Sequence, residues 1–219
     1  MDARMTDPTT SPDAPRRGLL IACEGLDGSG KSTMARRLAG WLRERGRKVL
    51  LSCEPTDGPW GRKLRSTWDA QRRPEPAEEL EWMRLDREQH LAERILPALE
   101  RGEVVILDRY YYSSEAYQGV RAGLDPAEVH ALMTSFCPVP DRTLLFEVDL
   151  DTAVSRINDL RDHIPDPLER VENLERVQAV FAAMDYPEIV RIDAGRPEDE
   201  VFADVVAAVE PLLEEGPAE

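Results

Sequence analysis

One short stretch of the chain constrains its fold more than any other. Residues Gly25 to Ser32 read G-L-D-G-S-G-K-S and fit the pattern G-x-x-x-x-G-K-[ST] without a mismatch. The apolar run LLIAC comes just before this stretch, and apolar residues at helical spacing follow it up to Gly46. A strand, a glycine-rich loop and a helix in this order are typical of a phosphate-binding loop, whose backbone N–H groups surround phosphate oxygens at the positive end of the helix. The sequence therefore predicts a nucleotide site here.

The residues of this loop have separate expected roles. Lys31 places a point charge beside the outer phosphates, and the Ser32 hydroxyl binds the Mg²⁺ that bridges them. Lys31 is one of only three lysines in the chain, with Lys48 and Lys63, so a lysine at this position does not reflect a lysine-rich composition. The expected nucleotide-binding residues of the loop are Gly25, Gly28, Ser29, Gly30, Lys31, Ser32 and Thr33.

The rest of the chain alternates between strand and helix signals. The apolar runs KVLLSC, EVVILD, RTLLFEV and EIVRID follow LLIAC, and stretches with helical spacing separate them. Parallel strands need such long crossovers, which cover both faces of the sheet. We therefore expect a P-loop NTPase fold of the α/β class, with three α/β/α layers around a five-stranded parallel sheet. A tail rich in Pro, Thr and Asp over residues 1–17 is expected to be disordered, and residues 18–219 to form a single domain.

The composition excludes several functional classes. The formal net charge of −15 opposes nucleic-acid binding, which needs a basic surface. The cysteines Cys23, Cys53 and Cys137 form no C-x-x-C pair, so neither a zinc site nor a disulfide framework is expected. No apolar run approaches the roughly 18 residues that span a bilayer, and the N-terminus lacks the apolar core of a signal peptide. We expect a cytoplasmic protein that binds neither nucleic acid nor membrane.

Charged residues stand at the ends of the predicted strands. Glu54 follows the second strand, and Asp108 and Arg109 follow the third. Ligands of such sheets bind at the carboxyl ends of the strands. Asp108 is therefore a candidate Mg²⁺ ligand, and Arg109 a candidate ligand of a substrate phosphate, because a buried arginine needs an anionic partner. The alternative for Arg109 is a salt bridge with a neighbouring carboxylate.

Four stretches together resemble the thymidylate kinase family. They are EGLDGSGKST, EPTDGPWGRKLR, DREQH and, above all, LDRYYYSSEAYQG. The similarity runs from about Leu19 to Leu213 and includes IDAGRPEDEV, which is similar to the adenine-side loop of the family. The resemblance implies a homodimeric enzyme that uses ATP and Mg²⁺ to phosphorylate dTMP.

The resemblance also implies roles for single residues around dTMP. Arg109 and Arg65 bind its phosphate, and Asp27 binds the sugar 3′-hydroxyl or organises the loop. Arg87 and Gln118 read the edge of the thymine by hydrogen bonds.

Four further residues belong to the implied substrate site. Tyr117 lies against the deoxyribose, where it excludes a ribose 2′-hydroxyl, and Ser113 lines the same pocket. Ordinary aromatic packing is the alternative for Tyr117, and helix capping for Ser113. Glu54 and Met83 complete the implied set.

A mobile lid is expected over about residues 156–171, in the stretch SRINDLRDHIPDPLER. Some family members carry an arginine inside the phosphate loop, but this chain has Gly28 and Ser29 there, so the catalytic arginine is expected in the lid. Arg156 matches the arginine near the adenine. Arg161 and Arg170 are candidates for clamping the transferred phosphoryl group. A solvated charged helix is the alternative for each of them.

The chain departs from the family pattern at two positions. The family motif F-A-A-D-R places an aromatic ring for stacking on thymine where this chain has Met83, although Trp82 is adjacent. The family often has an arginine before E-P, where this chain has Cys53. Both changes bear on the choice of pyrimidine more than on the type of reaction.

Two other functions stay open at this point. A deoxynucleoside kinase phosphorylates a hydroxyl and needs a general base, which Glu54 could provide. Against it, that class typically has Glu-Arg-Ser after the third strand, where this chain has Asp108, Arg109 and Tyr110. A nucleotide-binding paralogue without catalytic activity is the second alternative, and the intact Lys31 and Ser32 argue against it.

Overall fold

The computed structural model describes residues 18–67, 73–160 and 171–214. Its five strands form one sheet, in which every neighbouring pair is parallel and the order is β2-β3-β1-β4-β5. The strands are β1 (Leu20–Gly25), β2 (Val49–Cys53), β3 (Val104–Asp108), β4 (Arg142–Glu147) and β5 (Ile189–Asp193). The predicted five-stranded parallel sheet is confirmed.

The centre of the sheet explains why its strands read as continuous apolar runs. All residues of β1 are buried, from Leu20 to Gly25, because helices flank the sheet on both faces. β1 lies between β3 and β4, and β3 also pairs with β2. Asp108 at the end of β3 is in register with Cys23 of β1 and Cys53 of β2. The loops after three adjacent strands therefore meet at one edge of the sheet.

The helices follow the predicted spacing. In the helix after the glycine-rich loop, Met34, Leu38 and Leu42 are buried on one face. The helices are α1 (Lys31–Glu44), α2 (Pro59–Arg65), α3 (Pro76–His90), α4 (Leu96–Glu100), α5 (Tyr111–Ser113), α6 (Val120–Ala122), α7 (Pro126–Thr134), α8 (Leu150–Leu160), α9 (Val171–Ala183) and α10 (Glu198–Glu214).

Two π-helical turns interrupt these helices. The first, Leu91–Ile95, joins α3 to α4. The second, Ser114–Gly119, joins α5 to α6 and carries Tyr117 and Gln118. Such turns are frequent at functional sites, but side-chain periodicity does not reveal them.

The structure differs from the sequence reading at EPTDGPWG, which we read as a loop throughout. Helix α2 begins at Pro59 inside this stretch. Proline is favoured at the first helical position because its fixed φ suits a helix and its missing N–H has no partner to lose there.

Two expected segments fall partly or wholly outside the described residues. They are the tail over 1–17 and most of the lid, including Arg161 and Arg170. Within the described ranges, no helix combines the length and the apolar character needed to cross a membrane.

Candidate active site

The phosphate-binding loop links β1 to α1 and is shaped by its glycines. Gly28 has a φ of 79°, and a side chain there would collide with the carbonyl oxygen of Ala153. Gly30, with a φ of 87°, is the N-cap residue of α1, so no side chain at this position caps the N–H groups of the first turn. Among the described residues, Ser29 has a buried hydroxyl without a hydrogen-bond partner. Uncapped N–H groups and an unsatisfied hydroxyl fit a loop that binds an anion.

Lys31 is held across this loop. Its side chain is buried, and its Nζ donates a hydrogen bond of 3.0 Å to the carbonyl oxygen of Leu26. The same Nζ lies 3.6 Å from Oδ1 of Asp27. Burial lowers the pKa of Lys31, and the nearby charge of Arg109 lowers it further. The protein therefore stabilises the positive charge of Lys31 only in part, and a bound anion would stabilise it further.

An open cavity of about 590 Å³ surrounds the loop, and we call it the loop cavity. It is lined by every predicted nucleotide-binding residue except Gly25, together with Asp27, Arg196 and Glu198. Arg156 of α8 closes one side and donates hydrogen bonds to the carbonyl oxygens of Ala194, at 3.2 Å, and Gly28, at 3.4 Å. The loop after β5 is thus joined to the phosphate-binding loop, at the place expected for an adenine.

Asp27, Arg109, Ser113 and Tyr117 form a second group, which we call the Arg109 cluster. Arg109 donates hydrogen bonds to Asp27 Oδ1 at 2.6 Å and to Ser113 Oγ at 2.9 Å. Its guanidinium lies 4.8 Å from the centre of the Tyr117 ring, and the Tyr117 hydroxyl accepts a hydrogen bond of 3.2 Å from the backbone N–H of Asp27. Arg109 has a φ of 72°, a left-handed backbone that is uncommon for a residue with a side chain. The structure brings these four predicted residues together, and the predicted alternative of a salt bridge is present as Arg109–Asp27.

Glu24 supports the Arg109 cluster and was missed by the sequence reading. It is fully buried and accepts hydrogen bonds from the backbone N–H of Tyr110, at 2.7 Å, and from the hydroxyl of Ser113, at 2.6 Å. Burial raises the pKa of Glu24 to about 7, although these hydrogen bonds and Arg109 act in the opposite direction. A lone charge at the end of a buried apolar run was the signal that could have revealed it.

Glu54 and Arg87 are enclosed with His90 in the interior. The Nε of Arg87 donates to Glu54 Oε2 at 2.7 Å, and its Nη2 donates to Ser114 Oγ at 3.1 Å. His90 Nδ1 lies 3.0 Å from the other Glu54 oxygen. Burial alone would raise the pKa of Glu54, but Arg87 and His90 outweigh it and lower the pKa below its usual value. Arg87 is fully buried, and His90 is a partner that the sequence reading did not identify.

Ser32 and Asp108 line one smaller cavity of about 320 Å³, with Cys53 on its wall. That the two residues hold the same metal ion stays a prediction. Arg65 does not join the Arg109 cluster through any contact found among the described residues. It donates to the carbonyl oxygens of Pro55, at 2.7 Å, and Thr56, at 2.5 Å, and holds that loop in place.

Gln118 and Met83 lie on neighbouring elements, and both are largely buried. The Gln118 Nε2 donates a hydrogen bond of 3.1 Å to Oε1 of Glu79 on α3, a residue that the sequence reading did not select. The ring of Trp82, beside Met83, is 3.6 Å from the Nζ of Lys63 and is thus engaged by a cation.

Comparison with known proteins agrees with this geometry. The sequence profile of the thymidylate kinase family matches residues 23–205. A thymidylate kinase of Xanthomonas campestris pv. campestris (strain B100) is 45% identical over 203 residues, which cover 91% of this chain and 88% of that protein. A thymidylate kinase of Desulfotalea psychrophila is 39% identical over 196 residues, which cover 90% of this chain and 96% of that protein. The phosphate-binding loop, the cluster beside it and these extended similarities lead to one conclusion: the chain belongs to the thymidylate kinase family.

Proposed function

We propose that this protein is a nucleoside monophosphate kinase that transfers the terminal phosphate of ATP to dTMP and forms dTDP. The observation that carries the proposal is the position of Asp27, which lines the loop cavity and also pairs with Arg109. A site for a nucleotide and a site for a second phosphate are therefore adjacent. The names of the related proteins support dTMP as the acceptor.

The loop cavity binds ATP through its backbone N–H groups and through Lys31. Phosphoryl transfer depends mainly on positioning and charge neutralisation, which a buried lysine and a helix N-terminus supply. Ser32 and Asp108 are the residues that would hold Mg²⁺, whose charge neutralises the outer phosphates when it is bound. Arg156 contacts the adenine side, and Arg161 and Arg170 of the lid remain candidates for clamping the transferred group.

The Arg109 cluster binds the phosphate and the sugar of dTMP. A guanidinium can grip phosphate oxygens with two parallel hydrogen bonds, so the phosphate takes the place that Asp27 occupies on Arg109. Asp27 is then available to the 3′-hydroxyl, and Tyr117 packs against the deoxyribose. Arg65 adds charge from α2.

The base of dTMP is read by Gln118 and Arg87, with Met83 against its face. A guanidinium has more donors than the contacts of Arg87 with Glu54, Ser114 and Met133 use, so a hydrogen bond to the thymine is compatible with them. Met83 contacts a ring through its polarisable sulfur, which is a weaker partner than an aromatic side chain.

The environment of Glu54 argues against a deoxynucleoside kinase. A general base must have an accessible carboxylate with a suitable pKa. Both oxygens of Glu54 are bound to Arg87 and His90, and its pKa is lowered. A monophosphate acceptor needs no such base, because its phosphate oxygens are already ionised.

The test is ADP release in the presence of ATP, Mg²⁺ and a panel of acceptors: dTMP, dUMP, dCMP, a purine monophosphate and thymidine. We expect dTMP to be the best acceptor, dUMP to follow, and dCMP and the purine monophosphate to be far poorer. Faster turnover of thymidine than of dTMP would support the deoxynucleoside kinase. ATP binding without turnover of any acceptor would support the paralogue without activity.

We also propose that the protein is a cytoplasmic homodimer. The apolar stretch LAERILPAL contributes to the subunit contact, and Leu96 within it is 43% exposed. Light scattering at micromolar concentration should give twice the mass of the chain. A monomeric mass would contradict the dimer without affecting the proposed reaction.

A further inference from the structure

Glu79 on α3 is a buried carboxylate that the proposed reaction does not use. Only 3% of its surface is exposed. Besides Gln118, it pairs with Arg73, whose Nε lies 3.1 Å from Oε2, and with Arg121. A carboxylate buried at this depth is unfavourable unless it is paired and hydrogen-bonded, and the two guanidinium groups and the amide meet this need.

The bond between Glu79 and Gln118 determines how the amide of Gln118 is oriented. The two ends of a glutamine amide have similar shapes but opposite hydrogen-bonding character. An ionised carboxylate only accepts hydrogen bonds, so the end that faces Glu79 must be the nitrogen. Rotating the amide by half a turn would place two acceptors against each other inside the protein.

We propose that Glu79 is a positioning residue that sets the pyrimidine specificity of the enzyme by fixing the orientation of the Gln118 amide. This inference rests on the proposed function and extends it. With its nitrogen tied to Glu79, Gln118 keeps its oxygen for the ring N3–H of thymine and its second N–H for a neighbouring thymine carbonyl.

The fixed orientation discriminates against cytosine. Cytosine has an acceptor at N3 and an exocyclic amine at C4, which is the reverse of the pattern at the same edge of thymine. A rotated Gln118 amide would match cytosine, but Glu79 opposes that rotation. In Glu79→Gln the side chain at position 79 has nearly the same size and can either accept or donate. Both orientations of Gln118 then become accessible.

The experiment measures kcat/KM for dTMP and for dCMP in the full-length wild-type enzyme, in Glu79→Gln and in Arg121→Gln. In Glu79→Gln we expect the dCMP to dTMP ratio to rise about 10-fold, the factor expected for one hydrogen bond to a charged group. Arg121→Gln removes a cation from the same carboxylate but keeps Glu79, so its ratio should equal that of the wild type. Both substrates are measured on one preparation. Partial unfolding of a variant lowers both kcat/KM values by the same factor and leaves the dCMP to dTMP ratio unchanged.

Two further variants separate positioning from a general structural effect. Glu79→Asp keeps the charge beside Arg73 and Arg121 but withdraws it from the amide, and we expect an intermediate ratio. In a Gln118→Leu background, Glu79→Gln should cause no additional change, because Glu79 acts through Gln118.

The outcomes distinguish this inference from the proposed function. If the wild type uses dTMP and the ratio is unchanged in Glu79→Gln, the role of Glu79 is wrong and the proposed function stands. An equal rise of the dCMP to dTMP ratio in Arg121→Gln would also overturn the inference. So would a full effect of Glu79→Gln in the Gln118→Leu background. If the wild type does not phosphorylate dTMP, both fail.

Discussion

Around the loop cavity, the phosphate-binding loop lines open space and the Nζ of Lys31 lies 3.6 Å from Asp27, whereas in the Arg109 cluster the guanidinium holds the same carboxylate at 2.6 Å. The difference has a physical cause. The loop binds phosphate largely through backbone N–H groups, whose positions the glycines fix in advance. Arg109 is a partly buried charge that would be unfavourable without an anion, and Asp27 supplies that anion in this structure. In the proposed reaction, the nucleotide therefore meets a preformed loop, and the phosphate of the acceptor must displace Asp27 from Arg109.

The largest effect should come from a change in the phosphate-binding loop. In Lys31→Ala the outer phosphates lose their cation, and we expect kcat to fall about 10²- to 10³-fold while the fold is kept. Coupled ADP release measures the rate, and far-ultraviolet circular dichroism checks the fold. Lys48→Ala, which removes an exposed lysine, serves as the control and should keep the wild-type rate. Wild-type activity in folded Lys31→Ala would refute the assignment of the loop.

The unfolding free energy should depend on pH through Glu24, which accepts a hydrogen bond from Ser113 of the Arg109 cluster. Its pKa is raised to about 7 in the folded protein from an ordinary value of 4.5, so the folded state holds this proton more tightly. The resulting stabilisation is complete below about pH 4.5 and is lost as the pH rises to about 7. Glu24→Gln cannot titrate there, so the unfolding free energy of the wild type relative to this variant should fall by up to about 3 kcal/mol.

Urea unfolding of both proteins at several pH values between 5 and 8 gives this difference. Other titrating groups contribute equally to both proteins and cancel. A difference that stays constant with pH would show that Glu24 carries the same charge in the folded and unfolded chains.

Arg109→Lys tests the exchange of partners on the acceptor side. An ammonium group cannot form the planar two-bond grip on phosphate, so KM for dTMP should rise about 10- to 100-fold, and KM for ATP much less. Initial-rate kinetics with each substrate varied in turn measure both constants. Arg101→Lys changes an exposed arginine and is the matched control. An equal loss for both nucleotides would indicate that the salt bridge with Asp27 has only a structural role.

The smallest effect should appear at the base. Met83→Phe restores the aromatic ring of the family motif, and we expect KM for dTMP to fall about 2- to 10-fold, as aromatic stacking would provide. KM for ATP should not change. A higher KM for dTMP would indicate that Met83 does not contact the thymine and that the larger phenylalanine side chain only crowds its buried neighbours.

Local sequence patterns predicted the strands, helices and loops of the two regions but not which side chains pair with each other. The apolar runs and the glycine-rich loop predicted where β1 and α1 lie, and Asp108 was expected at the end of a strand, where it stands as the last residue of β3. The pairing of Arg109 with Asp27 joins residues 82 positions apart, and that of Gln118 with Glu79 spans 39 positions. No local pattern encodes such a pair, because it depends on how the strands are ordered and how the helices pack.

The backbone of Arg109 has a consequence for protein engineering. A residue with a side chain at φ 72° costs about 1–2 kcal/mol relative to glycine. Asp27 keeps 29% of its side chain exposed, so water can solvate its carboxylate if Arg109 is replaced. Glycine at position 109 would relieve this strain but would lose the contacts of the guanidinium with Asp27, Ser113 and Tyr117. In the proposed reaction, a search for heat-resistant variants should therefore leave position 109 unchanged, because the relief of strain would cost the group that binds the acceptor.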